Sequence, residues 1–233
     1  MPRHAKRDLM KLTKPDGLGF SFADYTRTLR AFKSDGYAVT GFSGYLGSPQ
    51  AKNVVLRHDC DNSVEQALRI ARLDAQENCT SSFFVRVHAI GYNLMSLPTL
   101  RALREIEDLG HDIGLHLEGG LNEVLGGDKF AWADRQRAVF EAAVDRRLTG
   151  FSLHEPARMG GIEFANELLE RWSETVTHHA YEERFTTPTM KYLSDSSGTW
   201  REGHFGLWIG REARFQVLTH PIWWFEQVPA ENY

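Results

Sequence analysis

The sequence predicts an α/β fold. Three observations favour it: short apolar runs alternate with longer stretches of helical periodicity, reactive polar residues follow several of the apolar runs, and no internal repeat or low-complexity linker divides the 233 residues. A chain of this length can bury about 70% of the surface that its unfolded form exposes. We therefore expect residues 1–233 to form one domain, with a helical lead-in at about residues 1–50.

Six strands and four helices can be placed along the chain. The strands are predicted at residues 53–56, 81–87, 112–116, 151–153, 190–194 and 214–220. The helices are predicted at residues 64–75, 97–109, 130–148 and 161–172. Ser63, with Gln66 three residues later, has the pattern of a helix N-cap, and Ser96 before Pro98 has a second one.

Composition and charge exclude several classes of protein. The net charge of −4 gives no electrostatic support for a nucleic-acid partner. The basic stretch at residues 1–14 is followed by no apolar run, so we expect neither a signal peptide nor a membrane anchor, and no segment is apolar enough to be transmembrane. Two cysteines, Cys60 and Cys79, fit reduced thiols in a cytoplasmic protein. The oligomeric state cannot be predicted.

Polar side chains that can carry out chemistry stand at or just after the ends of most predicted strands. They are His58, Asp59, Asp61, His116, His154, Asp195 and His220. Active sites of parallel α/β sheets and barrels are built at the carboxyl ends of the strands. We therefore expect these side chains to meet at one end of the sheet.

The clustered residue types suit a metal-assisted hydrolase. Asp61, His116 and His154 are of the types that bind a catalytic divalent ion, which commonly has three protein ligands and one open position. Asp59 could then accept a proton from the attacking water, and His220 could protonate a leaving amine. Together these residues predict hydrolysis of an amide, with one divalent ion, zinc, as the cofactor.

Each residue also has a purely structural interpretation. Asp61 could begin the following helix, where a carboxylate is favoured by the helix dipole. His116 could be a hydrogen-bonded core residue, His154 could organise a turn, and His220 could simply end a strand. Cys60 is a candidate nucleophile beside His58, but alternation along the strand should turn it away from the carboxylates, so a buried filler is the favoured interpretation.

Five stretches, in this order, resemble the motifs of one family. They are "LRHDCD", "GHDIGLH", "FSLHEP", "KYLSDSSGTWREG" and "VLTHPIWW". The chain from about residue 50 to residue 226 is similar to the polysaccharide deacetylase (NodB-homology, carbohydrate esterase 4-like) superfamily, and in particular to its HDxD branch, found in O-antigen and surface-polysaccharide gene clusters. The segment at residues 20–37 also resembles the lead-in of that branch.

The resemblance implies a fold, a reaction and several roles. It implies a distorted parallel (β/α) barrel of about seven strands, a single divalent metal ion, often zinc, and removal of N-acetyl groups from amino sugars. Asp59 matches the catalytic base, and Asp61 matches the metal-binding aspartate. His116 matches the first histidine of the second motif, and His220 matches the general acid.

One departure from the family pattern concerns the metal. The usual second motif, H-[ST]-x-x-H, has two histidines, but residues 116–120 here are "HLEGG", so Gly120 stands in the place of the second one. His154 is the predicted replacement, with Glu118 as a weaker substitute. The departure leaves open either a rewired metal site or a site without metal and activity.

These arguments predict a deacetylase of an N-acetylated sugar, nucleotide- or lipid-linked, in the biosynthesis of surface polysaccharide. Two alternatives remain open: a non-catalytic sugar-binding relative with the same fold, and a hydrolase of another non-peptide C–N bond. The residues predicted to contact substrate are Arg57, His58, Arg158, Asp195, Trp200 and Trp223. Trp200 and Trp223 are included because aromatic rings can stack on sugars, although such rings are as often part of a core.

Overall fold

Eight parallel strands form one sheet that curls into an open barrel. The computed structural model describes residues 19–226, apart from the side chains of Arg158 and Met159. The strands are β1 (Ala38–Thr40), β2 (Asn53–Cys60), β3 (Ser82–Val85), β4 (Asp112–Glu118), β5 (Gly150–His154), β6 (His178–His179), β7 (Lys191–Ser194) and β8 (Arg214–Thr219).

Helices connect most of the strands. They are α1 (Phe22–Ser34), α2 (Phe42–Gly47), α3 (Val64–Gln76), α4 (Leu97–Asp108), α5 (Leu121–Leu125), α6 (Lys129–Val144) and α7 (Gly161–Arg171). Short 3₁₀ turns follow β5, β7 and β8, at Pro156–Met159, Ser196–Gly198 and Pro221–Trp223. Among the described residues, no helix has the combination of length and apolar character that is needed to cross a membrane.

The strand order confirms the predicted barrel. Neighbouring strands run in the order β6, β5, β4, β3, β2, β8 and β7, and every pair is parallel. This path contains the seven strands expected of a distorted (β/α) barrel. The additional strand β1 pairs with the beginning of β2, on the edge that β3 occupies farther along. Because all strands are parallel, their carboxyl ends meet at one end of the barrel.

Strand β2 pairs with three other strands and is longer than predicted. All eight of its residues are buried, and it continues through Asp59 to Cys60. Successive side chains of a strand point to opposite faces. Val55 packs in the small apolar cluster inside the barrel, whereas Leu56 and Cys60 belong to the large core between the sheet and the helices. Asp59 therefore faces the barrel interior, and Cys60 faces the helix layer as predicted.

An apolar cluster fills the amino-terminal half of the barrel. Phe42 from α2 lies edge-on to Phe84 and Phe185, with ring centroids 5.7 and 4.7 Å away. Gly114 on β4 is required here, because a Cβ at this position would lie 2.6 Å from both the Gly150 carbonyl oxygen and the Phe84 ring. The cluster closes the barrel below Arg57 and leaves its carboxyl end for polar side chains.

Capping residues in the sequence predicted where the helices begin, but several helix ends and the short strands were not predicted correctly. The hydroxyl of Ser63 accepts a hydrogen bond from the Gln66 amide, and Ser96 caps α4 in the same way. The helix predicted at residues 130–148 ends earlier, at Val144, where the next residue turns to a positive φ. Strands β1 and β6 have only three and two residues, too few for a periodic pattern.

A buried polar network joins the outer face of β2 to the helices. Asp74 on α3 accepts hydrogen bonds from Tyr25 (2.6 Å) and Ser81 (2.7 Å) and lies 3.1 Å from Nε2 of His58. Nδ1 of His58 lies 2.6 Å from the Thr219 hydroxyl. Asp74 and His58 are both 0% exposed. This placement does not support the predicted contact between His58 and substrate, because both ring nitrogens are engaged on the face of β2 opposite Asp59.

We expect Asp74→Ala to destabilise the protein by about 3 kcal/mol or more, because it leaves several buried donors without an acceptor. The measurement is the free energy of unfolding in urea. Glu65→Ala is the matched control on the same helix: Glu65 is exposed and pairs with Arg69, so its loss should cost about 0.5 kcal/mol or less. Equal stability of the two variants would contradict the structural role assigned to Asp74.

Candidate active site

The carboxyl end of the barrel brings together most of the predicted site residues. Arg57, Asp59 and Asp61 come from β2 and the residue after it, His116 from β4, and His154 from the end of β5. Asp195 follows β7, and His220 follows β8. Three linked pairs can be distinguished among them: Arg57 with Asp59, Asp61 with His116, and His220 with Asp195.

Asp59 is held by a buried arginine from its own strand. Nε and Nη2 of Arg57 donate to the two carboxylate oxygens of Asp59 at 2.9 and 2.7 Å. The two side chains are only 1% and 3% exposed. Burial by itself would raise the pKa of Asp59, but the positive charges of Arg57 and His116 outweigh it and lower this pKa below its usual value. Asp59 is therefore a fixed carboxylate that stays ionised at neutral pH.

Arg57 completes its own contacts inside the barrel. Its Nη2 donates to the Tyr181 hydroxyl at 3.0 Å, and its guanidinium lies over the Tyr181 and Phe84 rings. Nη1 donates to the side-chain oxygen of Gln216 at 3.4 Å. The predicted contact between Arg57 and substrate is not supported, because the guanidinium lies beneath Asp59 and is almost fully buried.

His116 lies between the two carboxylates of the first motif. Its Nδ1 is 2.7 Å from the Ser152 hydroxyl, which fixes the ring. Its Nε2 is 3.2 Å from Oδ1 of Asp61 and 3.5 Å from Oδ2 of Asp59. Burial opposes ionisation of Asp61, but His116 lowers the pKa of this carboxyl to about 2. Oδ1 of Asp61 is nevertheless buried without a well-aligned hydrogen-bond partner among the described residues.

This pair fits two ligands of a divalent ion. Two atoms that bind one tetrahedral zinc ion at about 2.0 Å lie about 3.3 Å apart. Oδ1 of Asp61 and Nε2 of His116 are separated by 3.2 Å, and the first of them has no other well-aligned partner among the side chains that the structure describes. Over the part of the chain that the structure describes, no group of three or more His, Cys, Asp or Glu side chains could hold a metal ion. A three-residue metal site therefore stays a prediction.

The predicted third ligand, His154, is engaged by a neighbouring carboxylate. Its Nδ1 lies 3.2 Å from Oε1 of Glu118, and the other oxygen of Glu118 accepts a hydrogen bond from Nη2 of Arg86. The His154 ring is 5.4 Å from the His116 ring, measured between centroids. His154 thus lies beside the Asp61–His116 pair. Glu118 contacts Nδ1 of the His154 ring and not Nε2.

His220 is oriented by a fully buried aspartate. Nδ1 of His220 is 2.6 Å from Oδ1 of Asp195, and the His220 amide and Trp224 Nε1 also donate to this carboxylate. Burial would lower the pKa of His220, but Asp195 raises it to about 9. His220 is therefore an imidazolium at neutral pH, with Nε2 3.9 Å from Oδ2 of Asp61. Asp195 is 0% exposed, so its burial does not support the predicted contact between Asp195 and substrate.

Two of the remaining predicted residues, Trp200 and Trp223, lie on the His220 side of the site. Trp200 borders a cavity of about 230 Å³ together with Tyr192 and Ser194. The Trp200 ring stacks on Phe205 with centroids 5.2 Å apart, and its Nε1 is buried without a hydrogen-bond partner among the described residues. Trp223 lies against the backbone of Gly198. The side chain of Arg158 lies outside the described residues.

Sequence reasoning missed several residues that build the site. Arg86 stands just after β3, and Gln216 is a polar residue inside the apolar run of β8. Both could have been predicted from the sequence: Arg86 because it follows a strand, and Gln216 because it is polar at an inward-facing position. Ser152 and Tyr181 gave no such signal. Their importance comes from contacts with His116 and Arg57, which are 36 and 124 residues away in the chain.

Comparison with known proteins adds information on the fold. No protein-family profile matches the sequence, and no curated protein sequence matches it. A chitin deacetylase from the fungal pathogen Colletotrichum lindemuthianum is similar in structure, with a TM-score of 0.50 and 15% identity over 84% of this chain and 81% of that one. At this level of identity, the likeness shows that the two chains share a fold.

Two further solved structures are similar at a lower score. A polysaccharide deacetylase from Bacillus cereus has a TM-score of 0.49 and 11% identity, over 73% of this chain and 80% of that one. A CE4 family pseudoenzyme from Bacillus anthracis has a TM-score of 0.47 and 15% identity, over 74% of this chain. The chain spans only 56% of that pseudoenzyme, and 58% of a mutant form with restored enzymatic activity.

From the His220–Asp195 pair we predict that the stability of the protein depends on pH. A pKa raised to about 9 in the folded protein, against about 6.5 unfolded, means that the contribution of His220 to stability is fully present below about pH 6.5 and is lost as the pH rises through 9. We expect the difference in unfolding free energy between chelator-treated wild type and Asp195→Asn to shrink over this range. NMR titration should show the His220 pKa falling in Asp195→Asn; an unchanged value would refute the assignment.

Proposed function

We propose that this chain is a polysaccharide deacetylase-like enzyme that removes an N-acetyl group from an amino sugar in the cytoplasm, during biosynthesis of surface polysaccharide such as O-antigen. The observation that carries the proposal is the meeting of Asp59, an ionised carboxylate, and His220, a protonated imidazole, on either side of Asp61 and His116. The sequence motifs and the fold shared with a chitin deacetylase support the same reaction class.

Asp59 is suited to act as the general base. Amide hydrolysis needs a group that accepts a proton from the attacking water, and a positioned carboxylate can do so. Arg57 occupies one side of both Asp59 oxygens, so the carboxylate cannot rotate, and each oxygen keeps a second lone pair for the water. The lowered pKa ensures that the base is deprotonated at neutral pH.

His220 is suited to act as the general acid. An amine anion is too poor a leaving group to depart at neutral pH, so the nitrogen must receive a proton as the C–N bond breaks. The imidazolium of His220 holds such a proton on Nε2, because Asp195 engages Nδ1. Asp195 and Trp224 fix the ring, which keeps this proton directed to one place.

Asp61 and His116 would hold the divalent ion, zinc in our proposal. His154 is the proposed third ligand, and it would have to move to join them, because the described residues contain no group of three side chains placed to hold an ion. When bound, such an ion lowers the pKa of a water molecule to about 7 and polarises an acyl carbonyl. Neighbouring side chains orient the two histidines: Ser152 orients His116, and Glu118 orients His154. Second-shell partners of this kind orient ligating histidines in metal sites generally.

A non-catalytic sugar-binding protein of the same fold is the second candidate. Two observations favour it: Gly120 stands where the resembling family has its second histidine, and the described residues contain no group of three side chains that could hold a metal ion. Metal content and acetate release separate the two candidates.

Metal analysis is the first test. We expect purified protein dialysed against zinc to retain about one ion per chain, and Asp61→Ala and His116→Ala each to abolish this binding, because either change removes one of the two convergent donors. Glu123→Ala, close to the site in sequence but on α5, is the control and should bind as wild type does. A wild-type protein that takes up no divalent metal would favour the non-catalytic candidate.

The second test is release of acetate from a panel of N-acetylated amino sugars, both nucleotide- and lipid-linked. We expect Asp59→Asn to keep its metal and to lose about 10²–10⁴-fold in turnover, because proton transfer to Asp59 is removed while the ligand pair remains. If no sugar of the panel loses its acetyl group, or if Asp59→Asn turns over normally, the proposed reaction or its base is incorrect.

A further inference from the structure

The strands that supply the proposed base and acid are neighbours, and their pairing ends just before these two residues. Asp59 follows His58 on β2, and His220 follows Thr219 at the end of β8. His58 and Thr219 lie opposite each other and form the last pair in the register of the two strands. The ends of paired strands open more readily than their middles. Backbone pairing with β2 therefore holds the end of β8 less firmly than its middle.

A side-chain hydrogen bond reinforces this last pair. Nδ1 of His58 lies 2.6 Å from the Thr219 hydroxyl, and both side chains are completely buried. The His58 ring stacks on Phe83 of β3, with centroids 4.5 Å apart, and its Nε2 lies 3.1 Å from the Asp74 carboxylate on α3. Thr219 is thus linked to a ring that β3 and α3 hold in place.

Two contacts fix the end of β8 from opposite sides. Asp195, after β7, accepts a hydrogen bond from the His220 amide, and His58 on β2 contacts Thr219. Strand β7 lies at one end of the strand order, whereas β2 pairs with three strands. The contact with His58 therefore links the position of His220 to the strand that carries Asp59.

We propose that His58 is a positioning residue: through Thr219 it holds the end of β8 against β2, so that Asp59 and His220 keep the spacing that proton transfer requires. The His58 ring lies on the face of β2 opposite Asp59, so it acts through its neighbours. A misplacement of about 1 Å can reduce a rate by about 10²-fold. This inference rests on the proposed function, because the spacing matters only if Asp59 and His220 act as base and acid.

The kinetics of Thr219→Val measure what the hydrogen bond contributes. Valine has nearly the shape of threonine but lacks the hydroxyl, so the variant loses the bond to His58 and keeps the strand. On the N-acetylated amino sugar of the panel that the wild type hydrolyses fastest, we expect kcat to fall about tenfold or more with an unchanged KM, because only the reacting groups are displaced. Thr219→Ser keeps the hydroxyl and should restore a kcat close to that of the wild type.

Ser81→Ala is the matched control. Ser81 donates to Asp74 within the same buried network, but it belongs to neither β2 nor β8. Its loss should destabilise the protein and leave kcat unchanged, in assays at a temperature where every variant is fully folded. Equal losses of kcat in Ser81→Ala and Thr219→Val would mean that the network acts through stability alone, and the positioning role would be incorrect.

A double-mutant cycle with His58→Gln tests whether the two side chains act together. Glutamine can reach Asp74 as Nε2 of His58 does, but it has no polar atom at the position of Nδ1. We expect His58→Gln/Thr219→Val to be no slower than the slower single variant, because both changes remove the same bond. Losses that multiply in the double variant would contradict the proposal.

The ring resonances of His220 test the positioning without turnover. In proton–nitrogen correlation spectra of the chelator-treated protein, these signals are assigned by their absence from His220→Gln. We expect them to shift in Thr219→Val and to stay in place in Thr219→Ser and Ser81→Ala. Such shifts, with no acetate release from any sugar by the wild type, would support the positioning and refute the deacetylase. Unshifted signals, or normal turnover by Thr219→Val, would overturn the positioning alone.

Discussion

The buried ion pair between Arg57 and Asp59 is the interaction on which the site depends. Two charges removed from water cost several kcal/mol each, and only well-aligned partners offset that cost. Here the guanidinium and the carboxylate meet through two parallel hydrogen bonds, and Tyr181 and Gln216 take further donors of Arg57. Because the pair lies directly above the apolar cluster around Phe84, it separates the closed half of the barrel from the reactive half.

The charges above this pair stabilise one another. His116 lies between the carboxylates of Asp59 and Asp61, and His220 lies between Asp61 and Asp195. Neighbouring side chains lower the pKa of Asp59 and of Asp61, and Asp195 raises the pKa of His220, although burial opposes the charged form of all three groups. The arrangement therefore supplies a base and an acid at the same pH, which hydrolysis of an amide requires.

The loop after β4 contains the departure from the second motif of the family that the sequence resembles. Gly120 adopts a positive φ of 70°, and an added Cβ there would meet only Glu123, so the position has space for a side chain but a backbone that favours glycine. The polar contacts beside it instead link three strands: Arg86 after β3, Glu118 on β4 and His154 on β5. This linked set occupies the side of the site that β3, β4 and β5 form.

Local patterns in the sequence predict several of the residues at the reactive end, although His58, predicted among them, faces the helices instead. Alternation along β2 puts Asp59 and Cys60 on opposite faces, and the ends of apolar runs mark His116 and His220, because these signals depend only on local pattern. The tertiary structure alone decided the partners: Arg57 for Asp59, Asp74 for His58, and Glu118 for His154. Partners of this kind depend on strand register and on the side of the sheet against which a helix packs. Strand register and helix position both depend on how the whole core packs, so they cannot be predicted from a short stretch of sequence.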